Sequence, residues 1–96
     1  MKLMFVVSCG DAGTRLLPLL RACKRRGVEW GCFFTGDGVG VLRDPEVPSL
    51  LGCASKAVAC EHSWSRYGGG GVCPVELGSQ TDHSAMIAEA GNVVSL

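Results

Sequence analysis

The chain has 96 residues, which is enough for one domain with a modest core and too few for two. Nine Lys and Arg balance nine Asp and Glu to a formal net charge of zero, so nothing in the charge favours nucleic acid or an acidic membrane as partner. Hydrophobic residues make up 47% and the mean hydropathy is +0.26, high for so short a chain, which predicts a buried sheet and an apolar surface covered by another subunit.

The opening stretch, Met1-Lys2-Leu3-Met4-Phe5-Val6-Val7-Ser8, has one basic residue and an apolar run shorter than a signal segment, with no small-residue cleavage pattern behind it. No run approaches the roughly 18 apolar residues of a membrane span. A cytoplasmic location without a membrane span is the expectation. The cysteines, Cys9, Cys23, Cys32, Cys53, Cys60 and Cys73, would be read as three disulfides in a secreted protein. With no export signal and a continuous apolar pattern, reduced thiols are expected instead.

Residues 2–8 form an apolar run typical of a central strand. Cys9-Gly10-Asp11 is a turn, with Asp11 placed to cap a helix. Over 12–26 the apolar positions Leu16, Leu17, Leu19, Leu20 and Cys23 follow a helical period. Pro18 implies either a start near Leu17 or a kink. Lys24, Arg25 and Arg26 complement the carbonyl end of this helix, and Gly27 is a stop.

A second strand covers 28–35 with Trp30, Phe33 and Phe34, and Gly36-Asp37-Gly38 breaks it. That glycine cluster lacks the Lys-Ser/Thr of a phosphate loop and does not follow the first strand, so it is read as a tight turn. Pro45 and Pro48 split residues 39–54 into a short segment and a helical turn over 49–53. The third strand is 56–60, followed by one or two helical turns over 61–67.

Four glycines, Gly68 to Gly71, predict a mobile loop. A short edge strand over 72–77 is weakened by Pro74. Ser79-Gln80-Thr81-Asp82 resembles a capping box and opens the last helix, whose face carries Met86, Ile87 and Ala90. Gly91 ends it and 92–96 is a final strand. The alternation predicts a single small α/β domain: a mostly parallel five-stranded sheet with helices on both faces and right-handed crossovers.

Cys60 is the residue with a reason to be reactive. It ends the apolar run Lys56-Ala57-Val58-Ala59 where a polar segment begins, at the carboxyl edge of the sheet where α/β domains place ligands and chemistry. Helix amides and a nearby His62 or Arg66 would lower the pKa of its thiol. Asp37 and Cys9 fall at the same edge as supporting groups, and Cys73 is a possible second thiol. A Cys60–Cys73 disulfide and a zinc site of Cys60, His62 and Cys73 are both conceivable, though the spacing is not that of a paired knuckle. His83, at the start of the last helix, reads equally as an exposed polar residue or a functional one. Cys23, Cys32 and Cys53 read as small buried hydrophobes.

With these residues in view, the chain resembles the DsrE/DsrF-like sulfur-relay family, which includes the TusD-type sulfurtransferase subunits. The likeness is carried by Phe33-Phe34-Thr35-Gly36-Asp37-Gly38-Val39, by Val58-Ala59-Cys60 with Ser63, Arg66 and Gly68 behind it, and by the ending from Met86 to Leu96. The resemblance implies a small α/β fold, trimers or hexamers of identical or homologous subunits, and a cysteine that carries sulfur as a persulfide, which maps onto Cys60. Sulfur donor and acceptor proteins would be the partners, and no cofactor is needed. The four-glycine loop is not part of the family's pattern; it reads equally as a gate that lets sulfur pass between protein surfaces and as an ordinary surface turn. Two alternatives remain: a non-catalytic subunit that only builds an oligomer, and a small metal- or ligand-binding module.

Overall fold

The computed structural model describes all of residues 1–96. Five strands, β1 (Leu3–Val7), β2 (Trp30–Phe34), β3 (Lys56–Cys60), β4 (Glu76–Gly78) and β5 (Asn92–Ser95), form one sheet in the order β4-β3-β2-β1-β5. Every pairing is parallel. All five residues of the central strand β2 are buried, as expected of a parallel strand covered on both faces.

The order of the strands dictates where the helices go. From β1 through β4 the chain steps in one direction, so right-handed crossovers put α1 (Gly13–Arg26), a 3-10 helix (Gly36–Arg43), α2 (Glu46–Leu51) and α3 (Glu61–Tyr67) on the same face. The return from β4 to β5 carries α4 (Gln80–Glu89) over the opposite face.

The core divides accordingly. Fifteen buried side chains, among them Phe5, Leu16, Leu20, Trp30, Phe34 and Val47, pack under α1 and α2. A smaller cluster of five, Met4, Phe33, Val58, Cys60 and Met86, packs under α4. The alternation along β3 sends Ala59 to the larger cluster and Val58 and Cys60 to the smaller one.

Several local expectations are revised. α1 is continuous from Gly13, with Pro18 inside its second turn, where Pro leaves the Thr14 carbonyl without its helical donor. Asp11 does not cap it: the N-cap is Ala12, without a side-chain bond, and the Asp11 carboxylate instead lies 3.6 Å from Arg15. Gly27 closes the helix in the left-handed conformation, φ 65°.

The glycine cluster after β2 is the start of the 3-10 helix rather than a tight turn. There Gly38 lies so close to the Val7 carbonyl that a Cβ would collide with it, and this contact seats the 3-10 helix on the end of β1. Arg21 pairs with Glu46 and ties α1 to α2. No helix of the chain is long and apolar enough to cross a membrane.

Candidate functional site

Cys60 is the last residue of β3 and the N-cap of α3. Its position is therefore set by a change of backbone conformation that the apolar-to-polar switch in sequence encodes. The residue is 6% exposed, and its outer side lines an open cavity of about 500 Å3 shared with Glu61, His62, Ser65, Gly78, Ser79 and Gln80. The thiol is thus supported from beneath by Val58, Phe33 and Met86 and approachable from one side.

The electrostatics around the sulfur oppose one another. Burial pushes the thiol pKa up, because a thiolate loses hydration there. The Ser63 hydroxyl, the Ser63 amide, the Gln80 side chain and the His62 amide each favour the thiolate, and together they bring the pKa below its ordinary value of 9.0.

Ser63 is the one buried polar residue of the chain. Its Oγ accepts a bond from the Gly36 amide at 2.9 Å. With a lone pair so engaged, its own O–H remains free to donate to the sulfur. The same bond ties the start of the 3-10 helix to α3, so the geometry of Ser63 is fixed from two elements.

Gln80 comes from a different helix, beyond the next strand. It is the first residue of α4, a helix whose N-terminus is built by a complete capping box. The Ser79 hydroxyl accepts from the Thr81 amide at 3.2 Å, and the Asp82 carboxylate accepts from the Ser79 amide at 2.7 Å. The Gln80 Nε2 donates to Thr35 Oγ1 at 3.3 Å, and its Oε1 lies 3.0 Å from His83 Nδ1. Thr35 follows β2 directly, so Gln80 spans from α4 to the ends of β2 and β3.

The expected supporting residues are distributed unevenly. His62 lines the cavity and contributes its backbone amide. Arg66 is exposed and lies over the Tyr67 ring at 5.5 Å, away from the cavity lining. Asp37 and Cys9 are exposed at the same sheet edge, but Asp37 sits beside Gly10 at the end of β1, and neither lines the cavity.

Cys73 is a free thiol packed against the larger core cluster, whereas Cys60 belongs to the smaller cluster on the other face of the sheet. The two are therefore not brought together, and Cys60, His62 and Cys73 do not converge as metal ligands. All six cysteines are free.

The four-glycine loop also lies elsewhere. None of Gly68 to Gly71 lines the cavity. Gly68 packs against Trp64, the Trp64 indole donates to the Gly71 carbonyl at 3.3 Å, and Gly69 to Gly71 all adopt positive φ of 78°, 84° and 83°. The glycines thus serve a backbone path that few other residues can follow.

Sequence reasoning missed Gln80 as a site residue. The signal that bears on it is the capping box, which fixes Gln80 as the first residue of a helix lying over the Cys60 face. Fold and site define a single α/β domain with an all-parallel five-stranded sheet and, at its carboxyl edge, a cysteine that lines an open cavity and whose thiolate its neighbours favour. No protein-family model, curated protein or solved structure matches the chain.

Proposed function

We propose that the protein is a sulfur carrier or sulfurtransferase that holds sulfane sulfur as a persulfide on Cys60. The observation that carries this reading is the thiol itself. It is drawn toward the thiolate by Ser63, Gln80 and the His62 amide, and it opens on a polar cavity with room for an incoming sulfur compound.

The chemistry is a pair of displacements. The Cys60 thiolate attacks the outer sulfur of a donor persulfide, forming the Cys60–S–SH bond as the donor S–S bond breaks and the donor leaves as thiolate. An acceptor thiolate then attacks the same outer sulfur, the Cys60–sulfur bond breaks, and the Cys60 thiolate is regenerated. Two electrons move with each bond and no external oxidant or reductant is needed. The donors that lower the thiol pKa also suit the anionic persulfide, whose charge lies one atom further out toward the cavity.

Assembly belongs to the same reading. Ile87 on α4 and Val93 on β5 are 43% and 42% exposed, and Val93 pairs in register with Met4, so it lies on the face that α4 alone covers. Copies of the chain, or homologous subunits, would cover this apolar margin in a trimer or hexamer.

The test is intact mass after incubation with a small persulfide donor. The wild type is expected to gain about 32 Da per sulfur atom, as an added sulfane sulfur on the thiolate requires. Cys60→Ser is expected to gain none there. Full loading of a folded Cys60→Ser variant would overturn the assignment.

A further inference from the structure

His83 is held in an unusual way for a residue near a helix start. Its ring stacks on Phe33, with centroids 4.4 Å apart and planes 6° apart. Its Nδ1 lies 3.0 Å from Gln80 Oε1, and its Nε2 is buried with no hydrogen-bond partner. A neutral imidazole carries one proton, on one of the two nitrogens. A proton on Nε2 would bury an N–H with nothing to receive it, and orphaned buried donors are the rarer and costlier defect. The proton therefore sits on Nδ1, which donates to Gln80 Oε1.

That assignment determines which way Gln80 faces. With Oε1 accepting from His83, the amino end of the carboxamide points to Thr35 Oγ1, and Gln80 lines the same cavity as Cys60, where its side chain favours the thiolate. A reversed carboxamide would place an oxygen lone pair against the sulfur and oppose its negative charge. We propose that His83 is a positioning residue for Cys60, holding Gln80 through Nδ1–H so that its amino group, and not its oxygen, meets the sulfur.

Phe33 completes the arrangement, because its ring stacks on the imidazole and holds its plane. Phe33 and Cys60 belong to the same small core cluster, so ring and thiol share one support. The other titratable groups of the neighbourhood are Glu61 and His62, which line the cavity, and Asp82 within the helix cap, with Lys56 beside it. The inference rests on the sulfur-carrier reading for its purpose, while its test reads the thiol directly.

The test follows the rate of Cys60 alkylation by iodoacetamide against pH, scored on the peptide that contains it. His83→Phe keeps a ring to stack on Phe33 and removes the donor. Its alkylation midpoint is expected to move to higher pH, with a severalfold lower rate at neutral pH. Gln80→Leu should move it similarly, and the double variant no further, because both changes remove one interaction. His83→Asn, which offers an amide donor near the Nδ1 position, should restore part of the shift.

A wild-type midpoint in a folded His83→Phe protein, or shifts of His83→Phe and Gln80→Leu that add in full, would overturn the proposal. Sulfur loading of the wild type is scored separately. Its absence would overturn the carrier reading and leave the midpoints to decide the role of His83.

Discussion

Ser63 makes the clearest case at the scale of single residues. It is buried, accepts from the Gly36 amide and, with its own O–H free, favours the Cys60 thiolate, so one hydroxyl joins two elements and supports the reactive group. Ser63→Ala should leave the Gly36 amide without its partner and cost about 1–2 kcal/mol of stability. It should also move the Cys60 alkylation midpoint to higher pH. Denaturant unfolding and the alkylation profile check the two effects independently. A stability loss with an unmoved midpoint would reduce Ser63 to a structural role.

The same scale shows where sequence reading stops. Cys60 was legible because strand parity and the apolar-to-polar switch both act over a few residues. The side on which Cys73 packs was not, because it lies in a loop where no period relates one residue to the next. Gln80 and His83 were legible only as helix-start residues. Their relation to Cys60 spans some twenty residues of sequence and is made by a crossover, not by spacing.

Among the elements, α4 contributes Gln80 to the site from its first turn. Ser79→Ala removes the hydroxyl that accepts from the Thr81 amide and should cost about 0.5–2 kcal/mol. Because Gln80 follows the cap directly, the alkylation rate of Cys60 should fall with it. The Asp82 carboxyl pKa is lowered, chiefly by the Ser79 amide. A depressed carboxylate contributes stability above its ordinary value of 3.8 that is lost as the pH falls through the folded value, so the cap should loosen in acid.

The glycine loop gives the contrasting prediction. Gly69→Ala and Gly70→Ala each place a side chain at positive φ, at a cost of about 1–2 kcal/mol apiece. The loop does not line the cavity, so the Cys60 alkylation rate should stay at the wild-type level. Slowed alkylation in the folded variants would restore a gating role to the loop.

At the scale of the whole molecule, the buried thiols predict how stability responds to alkali. Burial raises the pKa of Cys23, Cys32 and Cys73 above the ordinary 9.0, and Cys32, fully buried, is displaced furthest, with Cys23 adding to its shift. These groups stay protonated in the native state while the unfolded chain ionises, so they withdraw stability as the pH climbs past 9.0. Cys60 acts in the opposite sense. Its depressed pKa contributes stability that is full above 9.0 and is lost as the pH falls through the folded value.

Three against one, the melting temperature should fall as the pH rises from about 8 to about 10, because unfolding then releases protons. Cys32→Ala should lower it throughout but flatten the slope. A slope unchanged in that variant would show that other groups carry the effect.

Light scattering checks assembly at micromolar concentration. A trimeric or hexameric mass is expected, and Val93→Glu, which puts a charge on the exposed apolar margin, should shift it toward monomer. A monomeric wild type would sink the assembly reading.

The amino-acid sequence by itself determined the alternation of strands and helices, the parallel sheet, the capping box and the placement of Cys60 at the carboxyl edge. Each of these follows from local rules: apolar runs, helical periodicity, and the chemistry of residues that start and stop helices. Only the tertiary structure decided that Gly36 begins a 3-10 helix and that Gly38 packs on the end of β1. It alone placed Cys73 across the sheet from Cys60, carried Gln80 to the cavity that Cys60 lines, and set His83 on Phe33 beside it. The physical reason is that these outcomes depend on which face a crossover takes and on what a side chain meets once two distant segments pack, and neither is written in the spacing of neighbouring residues.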